Sequence, residues 1–169
     1  MKTLRFAALS LMLLLSAGAF AQYITIPRGD TLLIEFGTDA SLNYYTISPN
    51  QTGCKHLRVD GNGSVTCFMG FKSITVNKGT VANEYEYTTD SVKIIVNRDA
   101  KFYNNKNISY GEITINQNAE FYNNANISSG DITVNGDGIS LSFENNKDIL
   151  SGKITVNGGS FENLNNADI

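Results

Sequence analysis

Five short segments carry one pattern at a nearly constant spacing: Ser73-Ile74-Thr75-Val76-Asn77, Lys93-Ile94-Ile95-Val96-Asn97, Glu112-Ile113-Thr114-Ile115-Asn116, Asp131-Ile132-Thr133-Val134-Asn135 and Lys153-Ile154-Thr155-Val156-Asn157. Their asparagines are separated by 20, 19, 19 and 22 residues. A second segment recurs in phase as Phe102-Tyr103-Asn104-Asn105, Phe121-Tyr122-Asn123-Asn124, Phe143-Glu144-Asn145-Asn146 and, more loosely, Phe161-Glu162-Asn163. A third recurs as Ile108, Ile127, Ile149 and Ile169, with Gly111, Gly130 and Gly152 three residues after the first three. Leu57-Arg58-Val59-Asp60 is an earlier, weaker copy, with Asp60 at the asparagine position. A fixed period of this length means one supersecondary unit stacked on itself, since a lone unit cannot bury its apolar face.

Within each segment apolar and polar residues alternate, which is the signature of a short strand with one buried face. Ile113 and Ile115 are therefore expected inside and Thr114 outside; Ala119 and Phe121 inside, Glu120 and Tyr122 outside. Asparagine and glycine separate the strands, because both tolerate left-handed backbone at low cost. No part of the chain after the leader shows a 3.6-residue period. The fold class is all-β: a parallel β-solenoid, expected as a right-handed β-helix of about five to six rungs over residues 57–169. At about 4.8 Å per rung the stack would be roughly 25–30 Å tall. Neither six-residue phasing nor a repeated Gly-Gly-x-Gly-x-Asp motif is present, which excludes the left-handed hexapeptide helix and the calcium β-roll. The columns Ile74, Ile94, Ile113, Ile132, Ile154 and Val76, Val96, Ile115, Val134, Val156 are expected to form the core. Asn77, Asn97, Asn116, Asn135 and Asn157 are expected to stack as an amide ladder.

Residues 1–21 read as a secretory signal peptide. Lys2 and Arg5 supply the charged start, Phe6 to Leu15 the apolar run, and Ala19-Phe20-Ala21 the cleavage site. The apolar run is short for a transmembrane helix, so no membrane span is expected after cleavage. Residues 22–56 are expected to form an N-terminal β cap, with Pro27-Arg28-Gly29-Asp30 as the turn between two strands. In an exported chain the two cysteines, Cys54 and Cys67, are expected to form one disulfide.

The net charge of −3 becomes −5 without Lys2 and Arg5. That disfavours nucleic acid, whose binding needs basic surface. One histidine and two cysteines exclude a His-rich or Cys₄ metal site, and no cofactor motif is present. No catalytic constellation stands out, so the chain is not expected to be an enzyme. His56 has no serine and acid placed with it in sequence. Glu144 and Glu162 are expected one above the other, the arrangement a paired-carboxylate glycosidase would use. Two outward arrays are candidate binding surfaces. One is a Thr-x-Asn grid, Thr114 and Asn116, Thr133 and Asn135, Thr155 and Asn157, which Thr75 begins and Ile95 interrupts. Regular threonine grids resemble ice-binding faces. The other is Tyr103 over Tyr122, with Tyr110 nearby in sequence, where sugar rings could stack. Arg28-Gly29-Asp30 is also the tripeptide some animal integrins recognise. The last rung is expected to be open, a template for self-association.

Leu57-Arg58-Val59-Asp60-Gly61-Asn62-Gly63-Ser64-Val65, followed by Ile108 to Asn116 and Ile127-Ser128-Ser129-Gly130-Asp131-Ile132-Thr133-Val134-Asn135, resembles the head GIN domain family. The resemblance covers about residues 57–169. It implies an exported bacterial β-solenoid of the kind named as putative autotransporter-adhesin heads. It carries over no catalytic residue. The expectation is thus a secreted, periplasmic or cell-surface structural module, adhesin-like, meeting a glycan or another surface partner. The alternatives are a carbohydrate-binding or carbohydrate-active β-helix and an ice-binding protein.

Overall fold

The structure is a computed structural model that describes residues 23–37, 44–49, 53–136 and 141–164. The expected signal peptide, residues 1–21, and Ile169 lie outside the described residues. All described regular structure is β. The first sheet holds β1 (Tyr23–Arg28), β2 (Thr31–Phe36), β4 (His56–Asp60), β6 (Ser73–Val76), β8 (Tyr87–Val96), β10 (Ile108–Asn116), β12 (Gly130–Asn135) and β14 (Ile154–Gly158), in that order. The second holds β3 (Tyr44–Ile47), β5 (Ser64–Cys67), β7 (Gly79–Asn83), β9 (Ala100–Asn104), β11 (Glu120–Asn123), β13 (Leu141–Asn145) and β15 (Ser160–Asn163). Consecutive strands thus alternate between two walls, and each strand pairs in parallel with the one a coil away. The exception is β1, which is antiparallel to β2. This is a β-solenoid of about six turns. Parallel stacking already includes β2 and β3, through Thr31↔His56 and Tyr44↔Ser64.

Period-2 alternation sets what each wall buries. On the first sheet Leu57, Ile74, Ile94, Ile113 and Ile132 form one inward column, and Val59, Val76, Val96, Ile115 and Val134 the next. On the second, Val65, Val81, Phe102, Phe121 and Phe143 face them. The phenylalanine rings stack along the axis, from Phe102 to Phe161, with centroids 5.2, 5.0 and 4.9 Å apart. A third buried column, Tyr87, Ile108, Ile127 and Ile149, closes the corner between the walls. There the Phe71 N–H donates to the buried Tyr87 Oη at 2.9 Å. Burial of each such side chain stabilises the stack by about 1.5–3 kcal/mol.

Gly130 and Gly152 sit where successive coils approach backbone to backbone. A Cβ at Gly130 would lie 2.1 Å from the Gly111 carbonyl oxygen, and one at Gly152 1.9 Å from that of Gly130. At Gly152 the φ of 126° also disfavours any side chain. This close approach accounts for the recurring glycine at Gly130 and Gly152; at Gly111 an added Cβ would instead crowd Ile108 Cγ2, at 3.0 Å.

Two expectations fail. Val156, placed in the core by periodicity, is 47% exposed, whereas Val134 one coil earlier is fully buried. Val134 is covered by β14; among the described residues no strand follows β14 on its other side. The expected disulfide is absent, and Cys54 and Cys67 are buried as thiols. Cys67 is the inward residue at the end of β5, in register between Ile47 and Asn83. Cys54 lies on the connection before β4, with its thiol toward the Gly29 carbonyl oxygen at 3.9 Å. Cys54 leads into β4 and Cys67 ends β5, the two strands of one coil, and packing directs each to its own neighbours.

Candidate functional site

Successive coils carry equivalent residues into register, so the outer face of each sheet is a set of columns. On the first sheet Thr114, Thr133 and Thr155 are stacked in register, preceded by Arg58, Thr75 and Ile95. Beside them runs the expected ladder. Each amide donates to the coil before it: Asn97 to Asn77 at 2.7 Å, Asn116 to Asn97 at 2.9 Å, Asn135 to Asn116 at 3.2 Å and Asn157 to Asn135 at 2.9 Å. These amides are thus engaged with one another. The column on the other side of the threonines is strongly polar. Lys93 and Glu112 form an ion pair at 2.7 Å, and Asp131 accepts the Lys153 N–H at 3.2 Å.

The same column corrects the reading of His56. Its Nδ1 shares a 2.8 Å hydrogen bond with Ser73 Oγ, one coil on. The two are distant in sequence, and only the in-register pairing of β4 with β6 brings them together. The nearby Asp30 carboxylate is held at 2.9 Å by Lys55, whose hydrogen bond and charge lower its pKa. That ion pair also engages the acid of Arg28-Gly29-Asp30, the group integrin recognition would use.

The outer face of the second sheet is richer. Tyr103 lies over Tyr122, with ring centroids 4.8 Å apart and planes within 7°. Tyr122 Oη donates to Glu120 Oε2 at 2.7 Å, and Lys101 Nζ pairs with the same oxygen at 2.7 Å. Burial opposes ionisation of Glu120, but the hydrogen bonds from Lys101 and Tyr122 outweigh it and lower its pKa. The bond to Glu120 likewise raises the pKa of Tyr122. Tyr110 is exposed on β10 opposite Ser91, on a strand of the other sheet, so it does not join this pair. Glu144 and Glu162 stand in register further along the column, as expected, and Glu144 accepts from Asn146 at 2.9 Å. In the other direction the column shortens to Ala82, Thr66 and Thr46.

Periodic reading missed a second asparagine ladder, and this one is inside. Asn83, Asn104, Asn123 and Asn145 are fully buried. Their amides donate forward along the stack, Asn83 to Asn104 at 3.0 Å, Asn104 to Asn123 and Asn123 to Asn145 at 2.8 Å, and Asn145 to Asn163 at 2.7 Å. Asn83 also bonds the N–H and C=O of Tyr85, fixing the corner as the strand ends. The signal was in the spacing: in Phe102-Tyr103-Asn104 the asparagine is two residues from an inward phenylalanine and so shares its face. A third ladder follows the corner. Asn146 donates to Asn124, Asn124 to Asn105, and Asn105 to the Glu84 carboxylate at 2.7 Å. Glu84 supplies an acceptor where the amide chain ends in a donor.

Among the described residues, no group of three or more His, Cys, Asp or Glu side chains is placed to hold a metal ion, and no helix is long and apolar enough to cross a membrane. Comparison of the chain with protein-family models, with curated proteins and with solved structures finds no match.

Proposed function

We propose that the chain is an exported structural module, adhesin-like, that presents the outer faces of a stiff β-solenoid to a partner at or beyond the cell surface. The observation that carries this is the set of three asparagine ladders. They tie successive coils together through side chains as well as backbone, so outward residues are held at fixed strand spacing over the length of the stack. Such a face suits recognition of an extended, repetitive partner. Export rests on residues 1–21. The test is expression of the full chain with its leader in a bacterial host. The expected result is cleavage after Ala21, read by intact mass, and recovery outside the cytoplasm with binding to intact cells. Uncleaved protein confined to the cytoplasm would overturn export, and mature protein that binds no cell surface would overturn the adhesin reading.

A carbohydrate ligand is favoured among partners by the aromatic and hydroxyl residues on the second sheet. The Thr-x-Asn face supports ice binding less well, because its asparagine amides bond one another and the adjacent column is charged. Thermal hysteresis that Thr133→Tyr abolishes would reverse that ranking. Association through β14 and β15 is supported by the exposed Val156 on β14, which among the described residues has a neighbouring strand on one side only. Solution mass across a concentration series tests it, and a strict monomer would reject it.

A further inference from the structure

The tyrosine pair on the second sheet does not offer its surface symmetrically. A sugar ring stacks on the face of an aromatic ring, not on its edge. One face of Tyr103 is covered by Tyr122. Its opposite face looks toward the preceding coil, where the register partner is Ala82. Ala82 carries only a methyl group, and the residue beyond it in the column is Thr66. The tyrosine stack therefore ends at Tyr103, and the column continues in short side chains. Between Thr66 and Tyr103 lie two strand spacings, roughly 9.6 Å. The observed ring-to-ring distance of 4.8 Å shows that one stacked ring takes up half of that.

The surroundings make this a trough rather than a gap. Its floor is Ala82 and, beside it on β7, Thr80, the register partner of Lys101. Ser64 and Thr66 on β5 continue the floor with two more short hydroxyl side chains. Tyr44, on β3, closes the far side. Its ring is exposed, and a 2.8 Å hydrogen bond joins its Oη to Thr66 Oγ1. Lys101, beside Tyr103 on β9, reaches the other way, to Glu120 on the next coil. An apolar ring face, a methyl floor and a rim of hydroxyls match the two sides of a pyranose. Its axial C–H face is apolar and its equatorial hydroxyls lie around the edge.

We propose that this trough is a saccharide subsite: a pyranose ring inserts above Ala82, stacks on the free face of Tyr103 and continues the Tyr103–Tyr122 column. Its hydroxyls meet Thr80 and Thr66. The site rests on the reading of the chain as a module that binds through its outer faces, and it names the ligand class and the place.

The test is isothermal titration of the full chain, matured by its host, with chitohexaose, cellohexaose and maltohexaose. At least one should bind saturably. Ala82→Tyr covers the free face of Tyr103 with a ring from the protein and should weaken binding by about tenfold, as should Tyr103→Ala. Tyr103→Phe keeps the ring face and should bind within about threefold of wild type. Circular dichroism of Ala82→Tyr checks that the stack is intact. No saturable binding of any of the three hexasaccharides, or wild-type binding by Ala82→Tyr, would overturn the proposal. Cell binding separates it from the broader reading. If Ala82→Tyr still binds cells and Thr133→Tyr does not, the face-binding module stands on its first sheet and the trough falls. If wild type binds no cells, the broader reading falls as well.

Discussion

Asn123 has no exposed surface, yet its amide must both donate and accept. It does so with Asn104 below and Asn145 above. Asn123→Ala would strand a buried donor on Asn104 and a buried acceptor on Asn145, and each such group costs about 1–3 kcal/mol. The expected loss in urea denaturation is therefore about 2–6 kcal/mol. Asn116→Ala breaks the equivalent two bonds on the half-buried outer ladder, where water reaches the stranded groups. Its cost should be below about 1 kcal/mol. Equal losses for the two variants would mean that burial does not set the worth of these ladders. Cys67 gives a second prediction at this scale. Burial pushes its thiol up to about 12, so almost no thiolate exists at pH 8. Cys67 should resist alkylation in the folded protein. Both cysteines should react in denaturant without reductant. Recovery of no thiol under those conditions would show that a disulfide had formed after all.

Between strands, the Lys101–Glu120–Tyr122 network links β9 to β11 on the outer face. The pKa of Glu120 is lowered from its ordinary 4.5 by its partners. Its contribution to stability is accordingly complete above 4.5 and lost as pH falls through the lower, folded value. Glu120→Gln should flatten that part of the acid-side decline, measured as melting temperature against pH. An unchanged slope would assign the decline to other carboxylates. The glycine corner is an element of a different kind, because what it holds together is backbone. Gly130→Ala places a methyl group against the Gly111 carbonyl and should cost about 2–3 kcal/mol, in the upper part of the range for single substitutions. A smaller loss would mean that neighbouring coils can move apart there without disturbing the ladder.

Across the whole molecule, each coil contacts only its neighbours, so stability is close to a sum of coil and interface contributions. The central coils, β8 to β11, have a neighbour on both sides, and their inward residues are fully or almost fully buried. β14 and β15 have a described neighbour on one side only, and Val156 is exposed. Amide hydrogen exchange should therefore be slowest in β8–β11 and fastest in β14–β15. Uniform protection along the stack would show that something outside the described residues covers that edge. The same one-dimensional build explains how the trough arises. Because equivalent residues stay in register, the change from Tyr103 to Ala82 and Thr66 along one column is enough to drop the face by the height of a ring.

Much of this architecture could be read along the chain. The 19–22 residue period, the alternation of Ile113-Thr114-Ile115 and the outer ladder from Asn77 to Asn157 all express short-range geometry: a strand exposes alternate residues, and a repeated turn returns the chain to its starting point. The stacking of Tyr103 on Tyr122 and the register of Glu144 with Glu162 follow from the same period. What depends on residues far apart in sequence was settled only in three dimensions. His56 meets Ser73 because β4 and β6 pair. Cys54 and Cys67 remain apart because their positions before β4 and at the end of β5 direct the thiols to different neighbours. Val156 is exposed because burial needs a covering coil, which no property of the residue itself can supply. The inner ladder lies between these cases. Its spacing was legible, but only the packed interior shows that four amides can satisfy one another well enough to be buried beside a column of phenylalanines.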